Sequence, residues 1–169
     1  YKDAVLIARL AVQLRCYLPE QAEPEWALLR HLGRRRQRLL ATASGCVLQA
    51  RDLLSLAWPA VLDAAGYPFE STTWLAAVAV VLERCGGDPA QLSRMGQEAF
   101  TAAVRAELPR WGAQRPWRRI IEAVFTALGN TGGAVAAHRA GALTRAAWAL
   151  GDLREARSKL AAVQTQMCA

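Results

Sequence analysis

Six arginines stand between Trp26 and Arg51 with no aspartate or glutamate among them: Arg30, Arg34, Arg35, Arg36, Arg38 and Arg51. Arg30, Arg34 and Arg38 recur every four residues. On an α-helix that spacing lines one face at intervals of roughly 6 Å. Such a guanidinium ridge suits a phosphate backbone, because each planar fork can bond two phosphate oxygens. The plain alternative is a solvated coiled-coil face. Ordinary solvated helix faces mix both signs of charge, and this one does not. A second basic group, Arg115, Arg118 and Arg119, falls at a predicted helix start, where the helix dipole disfavours positive charge. An anion held there would relieve that conflict. Trp111 and Trp117 flank the group; they suit either stacking on a base or burial in a core.

Other chemistries have little footing. His31 and His138 are the only histidines and stand far apart, with no cysteine or carboxylate at ligand spacing. Gly129–Gly133 lacks the order of a phosphate-binding loop and follows no strand pattern. No serine stands in a nucleophile-elbow context, and the acidic residues are scattered. Cys16, Cys46, Cys85 and Cys168 show no paired spacing, so they are expected to be free thiols in a reducing, cytoplasmic setting.

The elements that must carry these residues are helical. Among 169 residues there are 35 alanines and three isoleucines, a balance that favours helix over strand. The predicted class is all-α, with long coiled-coil-like helices flanking a small helical head. No run of uncharged apolar residues is long enough to cross a membrane. A first amphipathic segment covers residues 1–16, apolar on more than one side and so expected to pack on something larger. Pro19 and Pro24 break the pattern. A long basic helix over 24–58 follows, in which Leu29, Leu32, Arg36, Leu39, Ala43, Cys46, Ala50 and Leu53 keep 3-4 spacing for more than three heptads. Gly33 and Gly45 weaken it. Residues 59–129 hold short helices punctuated by Pro59, Ser71, Gly86-Gly87, Asp88-Pro89, Gly96, Pro109 and Pro116. A second long helix over 134–169 carries Leu143, Leu150, Leu153, Leu160 and Met167 on one stripe. It is expected to run antiparallel to the first or to pair with another chain. The first residue is Tyr1 and the helical pattern still runs at Ala169, so a fragment of a longer protein is expected.

Charge sharpens the expectation of a partner. The formal net charge is +7 and the isoelectric point about 9.9, which suits a polyanion.

The run Lys2–Leu10, KDAVLIARL, resembles the end of the RuvC-like catalytic domain of DEDD-type bacterial insertion-sequence transposases. These are relatives of the pilin-gene inverting recombinase and include bridge-RNA-guided recombinases. Leu18-Pro19 fills the place of that family's linker turn. Pro24, Leu29-Arg30, Leu32, Arg34, Arg36 and Leu39 then fit its Arg-rich helix pattern. The resemblance is good over 1–58 and looser beyond. It implies an acidic quartet that binds Mg²⁺ and a serine nucleophile in a C-terminal domain, working by a covalent phosphoserine. Asp3 matches the last carboxylate of the quartet, and no other quartet member falls within this sequence. Ser44, Ser55, Ser71, Ser93 and Ser158 match nothing in the nucleophile motif. The resemblance thus implies the tail of a catalytic domain (1–16) and a linker region used for dimerisation and for binding DNA or a structured guide RNA. The nucleic-acid residues expected are Arg30, Arg34, Arg35, Arg38, Arg115, Arg118 and Arg119. The competing expectation is an α-helical interaction or regulator effector module with no nucleic-acid role.

Overall fold

The computed structural model describes residues 2–13, 24–132 and 136–168. They form six α-helices and no strand: α1 (Lys2–Gln13), α2 (Pro24–Ala57), α3 (Thr72–Arg84), α4 (Gln97–Glu107), α5 (Arg118–Ala127) and α6 (Ala136–Cys168). Short 3₁₀ segments lie at Pro59–Ala64, Pro68–Glu70, Pro89–Met95 and Leu108–Trp111. Each carries a proline in its first turn, where the fixed φ is pre-set for helix and the missing N–H has no partner to lose. The all-α class and the two long helices are therefore present. The expected break over 17–23 lies outside the described residues, as do residues 14–16, 133–135 and 169 at the ends of predicted elements.

The two long helices pair with each other, in one chain and antiparallel. Leu40, Val47 and Arg51 of α2 and Leu153, Arg157 and Leu160 of α6 line a shared groove. Leu32 and Val163 are both buried toward the far end. A helix of 34 residues is about 50 Å long at ~1.5 Å per residue. The seam of this hairpin alternates small and large side chains. Ala50 and Ala57 of α2 and Ala142, Ala146, Ala149 and Ala156 of α6 are buried, which brings the backbones close. Leu54, Leu143, Leu150 and Leu153 fill the gaps between them. Of the alternatives the stripe left open, the in-chain one is realised over this seam.

The head sits at one end of the hairpin. It is built around α3, where every residue from Thr73 to Val81 is buried. A helix that is apolar all round is a core helix, and α4, α5, α6 and three of the 3₁₀ segments pack on it. Two tryptophans fix the junction. Trp58, where α2 ends, donates its indole N–H to the Ala127 carbonyl of α5 at 2.8 Å. Trp74 of α3 donates to the Val61 carbonyl at 2.8 Å. Both rings are fully buried, and each would leave a polar N–H orphaned without these acceptors. The expected caps are also in place: Ser71 accepts from the Trp74 amide at 3.2 Å, and Asp88 accepts from the Ala90 amide at 3.2 Å.

One expected boundary moves. Pro116 does not open α5, because the helix begins at Arg118 with Trp117 extended at its N-cap. The core of the head continues without a break into the seam, from Cys46 to Leu153. The first segment is helical, but Val5, Leu6, Ile7, Leu10 and Val12 of α1 are all exposed.

Candidate nucleic-acid interface

The geometry of α2 follows from its seam. At about 100° per residue, Arg30, Arg34 and Arg38 point between roughly 120° and 160° away from Leu32. All three are exposed. Arg35 lies nearer the seam but is exposed as well, while Arg36 is half-buried beside α6. Among the described residues no carboxylate comes within ion-pair distance of Arg30, Arg34, Arg35 or Arg38. Four guanidinium groups without an acid partner among the described residues, within about 12 Å of helix, raise a local positive potential.

Several other arginines are engaged inside the fold. Arg110 Nη1 binds Glu107 Oε2 at 3.0 Å, and Arg154 Nη1 binds Glu107 Oε1 at 3.2 Å. Arg154 also lies 6.0 Å from the Trp111 ring centroid. Arg157 Nη2 donates to the Phe69 carbonyl at 2.7 Å, while Arg51 sits 5.6 Å over the Phe69 ring. Burial holds the Arg157 guanidinium below its ordinary pKa, and nearby Glu70 partly restores it. Asp152 and Glu155 stand beside Arg154 and Arg157 in sequence and would be their nearest acids on that basis alone. Instead Glu155 pairs with Lys159, and the two arginines turn to the head. Neighbours in sequence on a helix do not share a face unless they are three or four apart.

Arg51 and Arg157 border a groove of about 540 Å³ lined by Leu40, Val47, Phe69, Leu153 and Leu160. No sequence signal marked it, because it forms only where α2, α6 and the Gly66–Glu70 turn meet.

The second basic group is split. Arg118 Nε bonds Glu122 Oε1 at 2.7 Å, one turn along α5. That pair answers part of the charge conflict at the helix start, which the sequence left to a bound anion. Arg115 and Arg119 are exposed and have no acid partner among the described residues. The two tryptophans part company: Trp111 is 9% exposed and Trp117 72%. The two basic groups do not converge. The Arg30–Arg38 ridge lies toward the free end of the hairpin and Arg115–Arg119 on the head. From Arg38 to Trp58 alone is roughly 30 Å of helix.

Asp3 is exposed in the first turn of α1. Among the described residues no three His, Cys, Asp or Glu side chains gather where a metal ion could sit. The Mg²⁺ that the resemblance implies needs further carboxylates, so these residues do not fit it and no metal step is derived. Among the described residues no helix is long and apolar enough to cross a membrane. No family model, no curated protein and no solved structure matches the chain.

Proposed function

We propose that this chain is the helical middle region of a DEDD-type transposase, serving DNA transposition and recombination by gripping DNA or a structured guide RNA. The observation that carries the nucleic-acid part is the α2 face: Arg30, Arg34 and Arg38 are exposed, opposite the in-chain seam and without a carboxylate partner among the described residues. A face used only for solubility gains nothing from excluding acids, whereas a phosphate contact gains from each counterion it releases. The family assignment rests on the Lys2–Leu39 motif order, and catalysis is assigned to residues outside this sequence. The setting proposed is the cytoplasm. Self-association belongs to the same proposal: Trp26, Leu28 and Leu29 are exposed at the free end of the hairpin, and the apolar side chains of α1 are exposed as well.

The test is a fluorescence titration of a 20-base-pair duplex at several salt concentrations. The parent is expected to bind in the micromolar range with little sequence preference. Replacing Arg30, Arg34 and Arg38 by Gln is expected to flatten the log–log salt slope by roughly two to three units. An unchanged slope would return the ridge to a solvated face and favour the second reading, a helical protein-interaction or regulator effector module. The observation favouring that reading is the largely apolar groove beside Phe69.

A further inference from the structure

We propose that the head holds a second, chemically different nucleic-acid contact: Trp117 is a stacking platform for one unpaired base, with Arg115 and Arg119 on its phosphates. This rests on the nucleic-acid reading above and names what the second basic group recognises.

Trp117 is not exposed through fraying. Its backbone N–H donates to Thr73 Oγ1 at 3.1 Å, and Thr73, on the core helix α3, is 1% exposed. Its carbonyl accepts from the Ile120 and Ile121 amides at 3.0 and 3.3 Å. The backbone is thus pinned to the core on both sides while the indole stays in solvent. The chain's buried tryptophans show the alternative: Trp58 and Trp74 lie fully inside with their N–H groups bonded. A large indole borne outward on a fixed backbone offers a flat surface, and stacking on it costs no ordering of the main chain.

The surroundings select an anion-bearing ring over a plain apolar group. Arg115 and Arg119 flank Trp117 two residues to either side and carry no acid partner among the described residues. Pro116 and Arg118, its immediate neighbours, wall a groove of about 530 Å³ that also has Gln97, Thr101 and Arg105 of α4 on it. The groove itself holds Arg105 and Arg118 beside Glu98, with Arg118 paired to Glu122, and the unpaired Arg115 and Arg119 lie outside its lining, next in sequence to Pro116 and Arg118. A paired base in a duplex hides its faces from a single indole. An unpaired one presents a face that stacks regardless of base identity. The ridge on α2, in contrast, repeats guanidinium groups every four residues, with the exposed Trp26 one turn before Arg30, and suits any backbone.

The experiment compares a dT20 single strand with a 20-base-pair duplex, using the parent, Trp117→Ala, Trp117→Phe and the Arg30/Arg34/Arg38→Gln variant. Trp117→Ala is expected to weaken dT20 binding at least fivefold and duplex binding less than twofold. Trp117→Phe, which keeps a ring, is expected to recover most of the loss. The ridge variant is expected to weaken both probes. Equal affinity of parent and Trp117→Ala for dT20, or equal losses on both probes, overturns the platform. If the ridge variant still shows its flattened slope on duplex in that case, the nucleic-acid reading survives alone. If the parent binds neither probe, both fall. The circular dichroism melting curve of Trp117→Ala is expected to overlay the parent's, since little of the ring is buried.

Discussion

Glu107 and Arg154 join the head to the hairpin: the buried Glu107 carboxylate of α4 accepts from Arg154 of α6 at 3.2 Å, across 47 residues of sequence. Glu107 is 7% exposed and also holds Arg110. Both arginines remain partly solvated, with side chains 37% and 61% exposed, which weakens the pairs by screening. Glu107→Ala is therefore expected to cost about 1–2 kcal/mol, below the cost of breaking a fully buried pair. A urea melt measures it. A double-mutant cycle with Arg154→Met is expected to return part of that cost as coupling; additive losses would mean that the two residues act separately.

Glycine substitutions are expected to split by sign. Gly87 has φ +93°, and a Cβ there would lie 2.7 Å from Ala140 Cβ on α6. Gly87→Ala is expected to destabilise by roughly 1–3 kcal/mol, from the left-handed backbone and the overlap together. Gly33 and Gly45 lie inside α2 with nothing within 4 Å of an added Cβ. Their alanine variants are expected to stabilise by about 0.5–1 kcal/mol each. Thermal melts of the three single variants settle the signs.

The junction tryptophans are expected to be the most sensitive large residues. Trp58→Ala and Trp74→Ala each remove a fully buried ring and are expected to cost about 3–5 kcal/mol. The phenylalanine variants fill most of the space but remove the indole N–H bond to the Ala127 carbonyl, which keeps the Asn130 amide, or to the Val61 carbonyl. They are expected to cost less, on the order of 1–3 kcal/mol. Denaturant melts rank the four; a phenylalanine variant as damaging as alanine would argue against the ring volume as the main contribution.

Thiol reactivity is expected to follow burial. Cys168 is exposed, whereas Cys46 and Cys85 are buried. Burial is the main force pushing the Cys85 thiol above its ordinary pKa, against opposing hydrogen bonds from nearby backbone amides. At pH 8 Cys168 is expected to be alkylated promptly, and Cys46 and Cys85 only on unfolding, as read by peptide mass spectrometry. A raised thiol pKa means that the folded state holds its proton longer than the unfolded chain. The Cys85 contribution is thus fully present below the ordinary thiol pKa and is lost as pH rises through that range and the folded value above it. Stability followed from pH 7 to 10 is expected to fall less in Cys85→Ala than in the parent, whatever the variant's lower starting point.

The sequence by itself determined the local layer of this protein. Alanine-rich 3-4 spacing set α2 and α6, because helical periodicity is a property of neighbours in the chain. Ser71 and Asp88 capped the segments they were expected to cap, and the prolines opened the 3₁₀ segments, since these effects reach only a few residues. The Arg30–Arg34–Arg38 face was legible for the same reason. What only the tertiary structure decided was every relationship across long stretches of chain. The stripe on α6 was compatible with an in-chain or an intermolecular partner, and the packing of Leu54 and Ala57 with Leu143 and Leu150 around one core chose the first for this seam. Trp111 and Trp117 were alike as sequence; whether an indole is covered depends on what folds over it, and Thr73 holds Trp117 where nothing does. Arg154 and Arg157 had acids beside them in sequence, yet Glu107 and the Phe69 carbonyl, brought close by the fold, took their guanidinium groups instead.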